Sequence, residues 1–210
     1  DNATVRRSLF TDNTAGSNGG AIYITLTAAD VINNTVYNNQ ANYGGGISTY
    51  NSASKIINTI LWQNTAYSSG GQVYNSGSPS PEYSYCDIQG GFSGNQNINE
   101  NPVFLDSELG LFGLIEGSPC IDRGDPDLDN DDVEWFEDFD DQDVDGTRMD
   151  IGAFTYLGPD TIPPTITILA PLGGETYGTG ERVSFQWDAD DDRVINWTKI
   201  YISYDAGGSY

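Results

Sequence analysis

Apolar positions in the first 74 residues come in short runs broken by Asn and Gly, and the runs recur. Ile22, Ile24 and Leu26 alternate with other residues, the period-two pattern of a strand with one buried face. Residues 5–10, 30–37 and 55–62 read as strands. Turns follow at 11–19, 38–43 and 63–70, and second strands at 20–27, through Ile47 and through Val73. The three units superpose at Phe10, Val36 and Leu61, at Asn13, Asn39 and Asn64, and at Ala15, Ala41 and Ala66. They meet again at Ile22, Ile47 and Val73, after the pairs Gly19-Gly20, Gly45-Gly46 and Gly70-Gly71. The asparagines stand 26 and 25 residues apart. One unit of that length cannot bury its apolar row alone, but stacked units bury the rows against one another. The expected fold is all-β, a parallel β-solenoid.

Stacking gives the polar positions a task. Asn13, Asn39 and Asn64 are expected above one another at one corner, their amides bonding up the stack and to the turn backbone. Asn34 and Asn58 are expected to form a second, shorter ladder. The Gly pairs supply backbone conformations that a Cβ resists.

Phe10-Thr-Asp-Asn13 followed by Gly19-Gly-Ala-Ile22 resembles the right-handed parallel β-helix repeats of bacterial surface proteins, including the polymorphic outer-membrane-protein type. The second unit departs by Val36 and Gly46, the third by Leu61 and Gln72. Further on, Tyr83-Ser-Tyr-Cys-Asp-Ile-Gln-Gly-Gly91, Asn101-Pro-Val-Phe104, Gly117-Ser-Pro-Cys-Ile-Asp122 and Asp150-Ile-Gly-Ala-Phe154 follow in order. That order is similar to the closing segment of secreted β-helix proteins of the choice-of-anchor Q type. The resemblance covers residues 1–156 and implies a right-handed β-helix in an exported or surface protein. Some relatives of that fold cleave acidic polysaccharides. Residues 83–156 are expected to cover the open edge of the last coil.

A linker, 157–164, carries three prolines and precedes strands expected at 165–170, 181–187 and 197–204. The pattern Val183-x-Phe-x-Trp187 resembles an immunoglobulin-like or fibronectin-III-like β-sandwich, here partial over 165–210, with Trp187 as its core tryptophan. The chain reads as a fragment of a longer protein.

Composition narrows the function. Net charge is −23, with 31 acids against 8 bases and no His. Nucleic acid is excluded as a partner because no basic stripe exists to neutralise phosphates. No run of 18 apolar residues occurs, so no membrane-inserted helix is expected. Cys86 and Cys120, with no further Cys or His, cannot build a usual zinc site. They are either a disulfide of an exported protein or two separate buried thiols.

Residues 122–150 hold 14 of the acids against two Arg. Asp127, Asp129 and Asp131 are spaced like the opening of an EF-hand loop. Position six is Asp132 rather than Gly, and position twelve is Asp138 rather than Glu. A Ca²⁺ site of another kind, from Asp127, Asp129, Asp131, Asp141, Asp143 and Asp145, is one expectation. The other is a solvated insertion that lays Trp135, Phe136 and Phe139 on the body. Arg148 is expected to pair with Asp145 or Asp150.

No catalytic residue is assigned. The bases of the coils are Arg6, Arg7 and Lys55, and the carboxylates to weigh for glycoside hydrolysis are Asp87 and Asp122. The leading expectation is an exported, extracellular or cell-surface structural or adhesin-like module of a stalk or filament, able to self-associate or contact polysaccharide or other surface proteins. The alternative is a polysaccharide-binding or lyase-like β-helix.

Overall fold

In the computed structural model, which describes residues 3–159, 164–178 and 180–191, the repeats stack as a parallel β-solenoid of about three turns. The first coil holds β1 (Ala3–Arg6), β2 (Leu9–Thr11) and β3 (Ile22–Thr25). The second holds β4 (Ala29–Ile32), β5 (Thr35–Tyr37), β6 (Gln40–Tyr43) and β7 (Ile47–Tyr50). The third holds β8 (Lys55–Ile57), β9 (Ile60–Trp62), β10 (Thr65–Ser69) and β11 (Val73–Ser76), and β12 (Glu82–Ser84) and β13 (Asp87–Ile88) begin a fourth. The sheets run β1-β4-β8-β12, β2-β5-β9-β13, β3-β7-β11 and β6-β10. Register makes the apolar rows: Val5, Val31, Ile56 and Tyr83; Phe10, Val36, Leu61 and Ile88; Ile22, Ile47 and Val73. These rows fill the interior.

The runs 5–10, 30–37 and 55–62 are each two strands rather than one. Arg7, Asn33 and Asn58 interrupt them at φ 46°, 52° and 51°, and the chain turns a corner there. Tyr85 and Gln96 continue that column. Asp12, Asn38 and Gln63 make a second corner, Gly19, Gly44 and Gly70 a third, and Leu26, Asn51 and Gly77 a fourth, all with positive φ. The third corner requires glycine: a Cβ on Gly44 would stand 2.4 Å from the Ile47 carbonyl oxygen. The aligned pairs are therefore Gly19-Gly20, Gly44-Gly45 and Gly70-Gly71, with Gly46 level with Ala21. Two segments expected as turns, 38–43 and 63–70, contain β6 and β10. Their Ala41 and Ala66 are register partners.

The first ladder forms as expected. The Asn13 and Asn39 backbone N–H groups donate to Oδ1 of Asn39 and Asn64, at 3.0 and 2.9 Å. Asn39 Nδ2 lies 2.9 Å from the Phe10 carbonyl in the preceding coil and 3.0 Å from that of Tyr37. Gln72 ends the ladder by offering Oε1 to Asn64 Nδ2 at 2.7 Å.

The second ladder has a different membership. Asn34 is level with Thr59, not Asn58. Its column is Ser8, Asn34, Thr59, Cys86 and Asn97. Ser8 N–H donates to Asn34 Oδ1 at 3.0 Å, and Cys86 N–H to Asn97 Oδ1 at 3.0 Å. Within it the donor of Asn34, Thr59 or Cys86 reaches the carbonyl two residues back and one in the preceding coil. One geometry is met by an amide, a hydroxyl and a thiol.

The segment after β13 does two things. Asn95 and Ile98 bridge to Ser84 and Asp87 and extend the stack. Then β14 (Phe104–Asp106), a 3₁₀ turn at Ser107–Leu109 and β15 (Leu111–Leu114) form an antiparallel pair. Its Phe104 and Phe112 meet Tyr37 edge to face, at 5.9 and 4.9 Å between centroids. Ile60, Leu114, Cys120 and Ile151 make a second core, joined by Trp62 and Phe104. The β9 run Ile60-Leu61-Trp62 is thus apolar on both faces: Leu61 packs into the interior core, Ile60 and Trp62 into the outer one.

The chain divides into two compact units, Asp1–Pro159 and Asp160–Tyr210. In the second, β16 (Thr165–Ala170) pairs antiparallel with β17 (Gln186–Asp190), and Ile168 faces Trp187 in register. The expected strand at 181–187 lies later, and the one at 197–204 falls outside the described residues. Trp187 is 42% exposed rather than buried as expected, because among the described residues the unit is a two-stranded ribbon with no second layer over it. No helix among the described residues is long and apolar enough to cross a membrane.

The ladder sets unequal costs along one column. Asn39 is fully buried and Asn13 is exposed. Asn39→Ala leaves the Phe10 carbonyl and neighbouring N–H groups unmatched and is expected to destabilise by about 3 kcal/mol, against under about 1 for Asn13→Ala. Urea denaturation midpoints of the two variants check the order. Equal losses would contradict the ladder.

Candidate functional site

The acidic segment does not close the end of the stack. It runs as a strap along the flank, against the corner column of Arg7, Asn33, Asn58 and Tyr85. Asp125 N–H donates to Asn58 Oδ1 at 2.7 Å, and Asn33 Nδ2 to the Asp150 carbonyl at 2.9 Å. Gly152 N–H bonds the Asn58 carbonyl, and Ala153 N–H the Thr35 hydroxyl. Arg7 Nη2 lies 4.0 Å from Met149 Sδ. Gly124 fits because a Cβ there would meet the Met149 carbonyl at 2.5 Å. Arg148 pairs with neither Asp145 nor Asp150: its Nε donates to the Gly124 carbonyl at 2.6 Å, and its guanidinium lies 5.5 Å from the centre of the Tyr85 ring.

The strap folds on its own carboxylates. Asp125 accepts from Asp127 N–H, Asp131 from Val133 N–H, Asp138 from Asp140 N–H and Asp145 from Thr147 N–H, each two residues ahead. The six candidate ligands fall into two groups. One carboxylate oxygen from each of Asp127, Asp129 and Asp131 lies within 4.8 Å of the others. Asp141 stands beside them, with Oδ1 on Leu128 N–H at 2.6 Å. Asp143 and Asp145 are instead in the 142–148 turn, where burial and the neighbouring Asp145 and Asp150 carboxylates push Asp143 up to about 8. The expected burial of the strap aromatics fails: Phe139 is 88% exposed and Phe136 is also exposed, while Trp135 is half-buried.

Two clefts flank the strap. One, of about 770 Å³, is lined by Lys55, Tyr85, Phe92, Asn95, Asp125 and Asp127 among others. The second, of about 530 Å³, lies among Arg6, Arg7, Asp129, Phe139 and Met149. Lys55, which has no acid close in sequence, stands in register between Asp30 and Glu82 of the adjacent coils.

Cys86 and Cys120 are free thiols, so the disulfide is not formed. The physical reason is the sheet between them. Cys86 belongs to the interior core and points at the Ser84 and Ile56 carbonyls; Cys120 belongs to the outer core. Burial pushes both thiols up, Cys86 to about 12. Cys120 Sγ donates to Asp87 Oδ2 at 3.3 Å, and Glu100 N–H donates to Asp87 Oδ1 at 3.1 Å. Asp87 is fully buried beneath the second core, and burial raises it to about 6. Asp122 is exposed, and its N–H bonds Asp150. The carboxyl of Asp150 also accepts from Tyr156 N–H, and burial lifts it to about 6. Asp87 and Asp150 thus hold the closing segment, a role that only their long-range partners reveal.

Residues 7–25, from the first corner through β3, match the Chlamydia polymorphic membrane protein repeat. That stretch includes Asn13 of the ladder and Gly19 of the third corner. No curated protein and no solved structure matches the chain. The repeat match and the parallel solenoid together suggest a β-helix protein of the surface type.

Asp87 and Asp150 bind a proton more tightly folded than unfolded, where a carboxyl sits at its ordinary 3.8. Their contribution to stability is full below the unfolded value and is lost as pH rises through about 6. The melting temperature is therefore expected to rise as pH is lowered from about 7.5 to about 5, and Asp87→Asn to flatten part of that slope. Thermal scans of both proteins check this; a parallel slope in the variant would show that Asp87 is not a source of it.

Proposed function

We propose that this chain is a rigid structural module of an exported surface protein, with the solenoid as spacer and the flank as contact surface. The observation that carries the reading is how the buried polar side chains of the coils are used. Asn34, Asn39, Thr59 and Asn64 each bond backbone of an adjacent coil, which is scaffold chemistry. The repeat match over residues 7–25 supports the surface setting. The second unit is read as immunoglobulin-like. Other surface proteins, or further copies of the chain, are the partners of such a spacer.

One observation favours a second reading, contact with polysaccharide. The larger cleft brings Tyr85 and Phe92 beside Asn95 and Lys55, a mixture of ring faces and hydrogen-bonding groups that suits sugars. A lyase would need a base poised over the uronate. Lys55, set in a row of alternating charge with Asp30 and Glu82, reads as a solvated surface residue.

A glycan array, together with cleavage assays on polygalacturonate and alginate, separates the readings. The spacer predicts neither binding nor turnover. Binding that drops at least about tenfold in Tyr85→Ala, the loss expected when a stacking ring is removed, would replace it with the polysaccharide reading. New unsaturated ends would replace both with a lyase.

A further inference from the structure

Three carboxylates meet where the strap begins. The oxygens of Asp127, Asp129 and Asp131 approach within 4.8 Å of one another, close enough for mutual repulsion to open the turn. An exposed acidic cluster alone says nothing about a ligand. The separate observation is Asp141, ten or more residues further along and 0% exposed. Its Oδ1 is held by the N–H of Leu128, the residue between Asp127 and Asp129. Its Oδ2 is buried and has no hydrogen-bond partner. Burial raises its pKa, as do the charges of Asp138, Asp129 and Asp127, so its carboxyl lies among the same acids. A buried carboxylate oxygen without a donor needs either a proton or a cation. Arg148 does not serve, since it is engaged with Gly124 and Tyr85.

We infer that Asp127, Asp129 and Asp131 bind one Ca²⁺, with Asp141 as the buried fourth carboxylate behind them. Ca²⁺ fits such a site better than Mg²⁺, because it takes six to eight oxygens in flexible geometry, whereas Mg²⁺ demands near-ideal octahedral order. Asp132, sixth from Asp127, has φ 63°, the left-handed conformation that glycine supplies at that place in an EF-hand loop. The cation ties together two parts of the strap that are separately fixed to the flank. Asp127 follows Asp125, which is bonded to Asn58, and the Asp141 carbonyl accepts from Met149 N–H. Asp143 and Asp145 take no part.

The test is calorimetric titration of CaCl₂ into the chelator-stripped full chain, with limited proteolysis as a second readout. One saturable site is expected, with Kd of about 10⁻⁴ to 10⁻³ M as in extracellular modules. The double variant D129N/D131N, exposed and therefore able to fold, is expected to weaken it at least tenfold, as is D141N. D145N is expected to stay within twofold. Ca²⁺ is expected to slow cleavage within residues 127–141 in the unsubstituted chain but not in D129N/D131N. Absence of saturable heat up to about 10 mM Ca²⁺ overturns the site. So does a D129N/D131N affinity within twofold of the unsubstituted chain, which would mean diffuse attraction to the acidic segment.

Discussion

A thin solenoid coil must turn four corners in about 25 residues, and every corner frees backbone groups that the next strand cannot reach. Much of this protein follows from how those groups are matched. At two corners the answer is one device repeated. A left-handed residue is followed by a small polar side chain that accepts the N–H of one coil and donates to carbonyls of its own coil and the one before. Asn39 and Asn34 do this with an amide, Thr59 and Cys86 with a single hydrogen each. Unmatched, such buried groups cost about 1–3 kcal/mol apiece, so register between coils is held by polar columns as much as by apolar rows.

The same corners decide what lies outside. Asn33 and Asn58 take the left-handed position of the first corner, so their amides face away from the ladder and meet the strap. That contact lets residues 102–156 cover the outer face of β2-β5-β9-β13, where Ile60 and Trp62 point outward. The result is two cores separated by one sheet, with one thiol in each. A pair of cysteines that looks like a disulfide in the sequence is divided by the fold itself.

What could be read from the sequence follows from whether a residue type repeats. The Asn13, Asn39 and Asn64 column was legible because the same side chain recurs at a constant period. The column through Ser8, Asn34, Thr59, Cys86 and Asn97 was not, because its geometry is constant while its chemistry changes, and residue type alone points to a pairing of Asn34 with Asn58. Corners at Arg7, Leu26 and Tyr85 were hidden for a like reason, since none is the Gly or Asn that announces positive φ. Asp127, Asp129 and Asp131 could be grouped by spacing. The place of Asp141 beside them, and the removal of Asp143 and Asp145 to another turn, depend on how the strap folds back. The strap's position was invisible because its anchors join residues 67 to 118 apart through backbone groups that carry no residue signature.

The strap also shows how so acidic a segment holds a defined shape. Part of its charge is met by its own backbone, as each Asx turn gives a carboxylate oxygen an N–H two residues ahead. Part is met by protonation: burial raises Asp143 to about 8, so the neutral acid prevails there near neutral pH, and Asp150 to about 6, so it takes up its proton in mild acid. Asp87 follows the same rule under the neighbouring core. The exposed acids are met by water. At Asp141 one oxygen has its N–H and the other is buried without a partner, as is one oxygen of Asp143. The two differ in their surroundings: Asp143 sits in the 142–148 turn, while the bond from Leu128 sets Asp141 beside Asp127 and Asp129, where a divalent cation would neutralise several carboxylates at once.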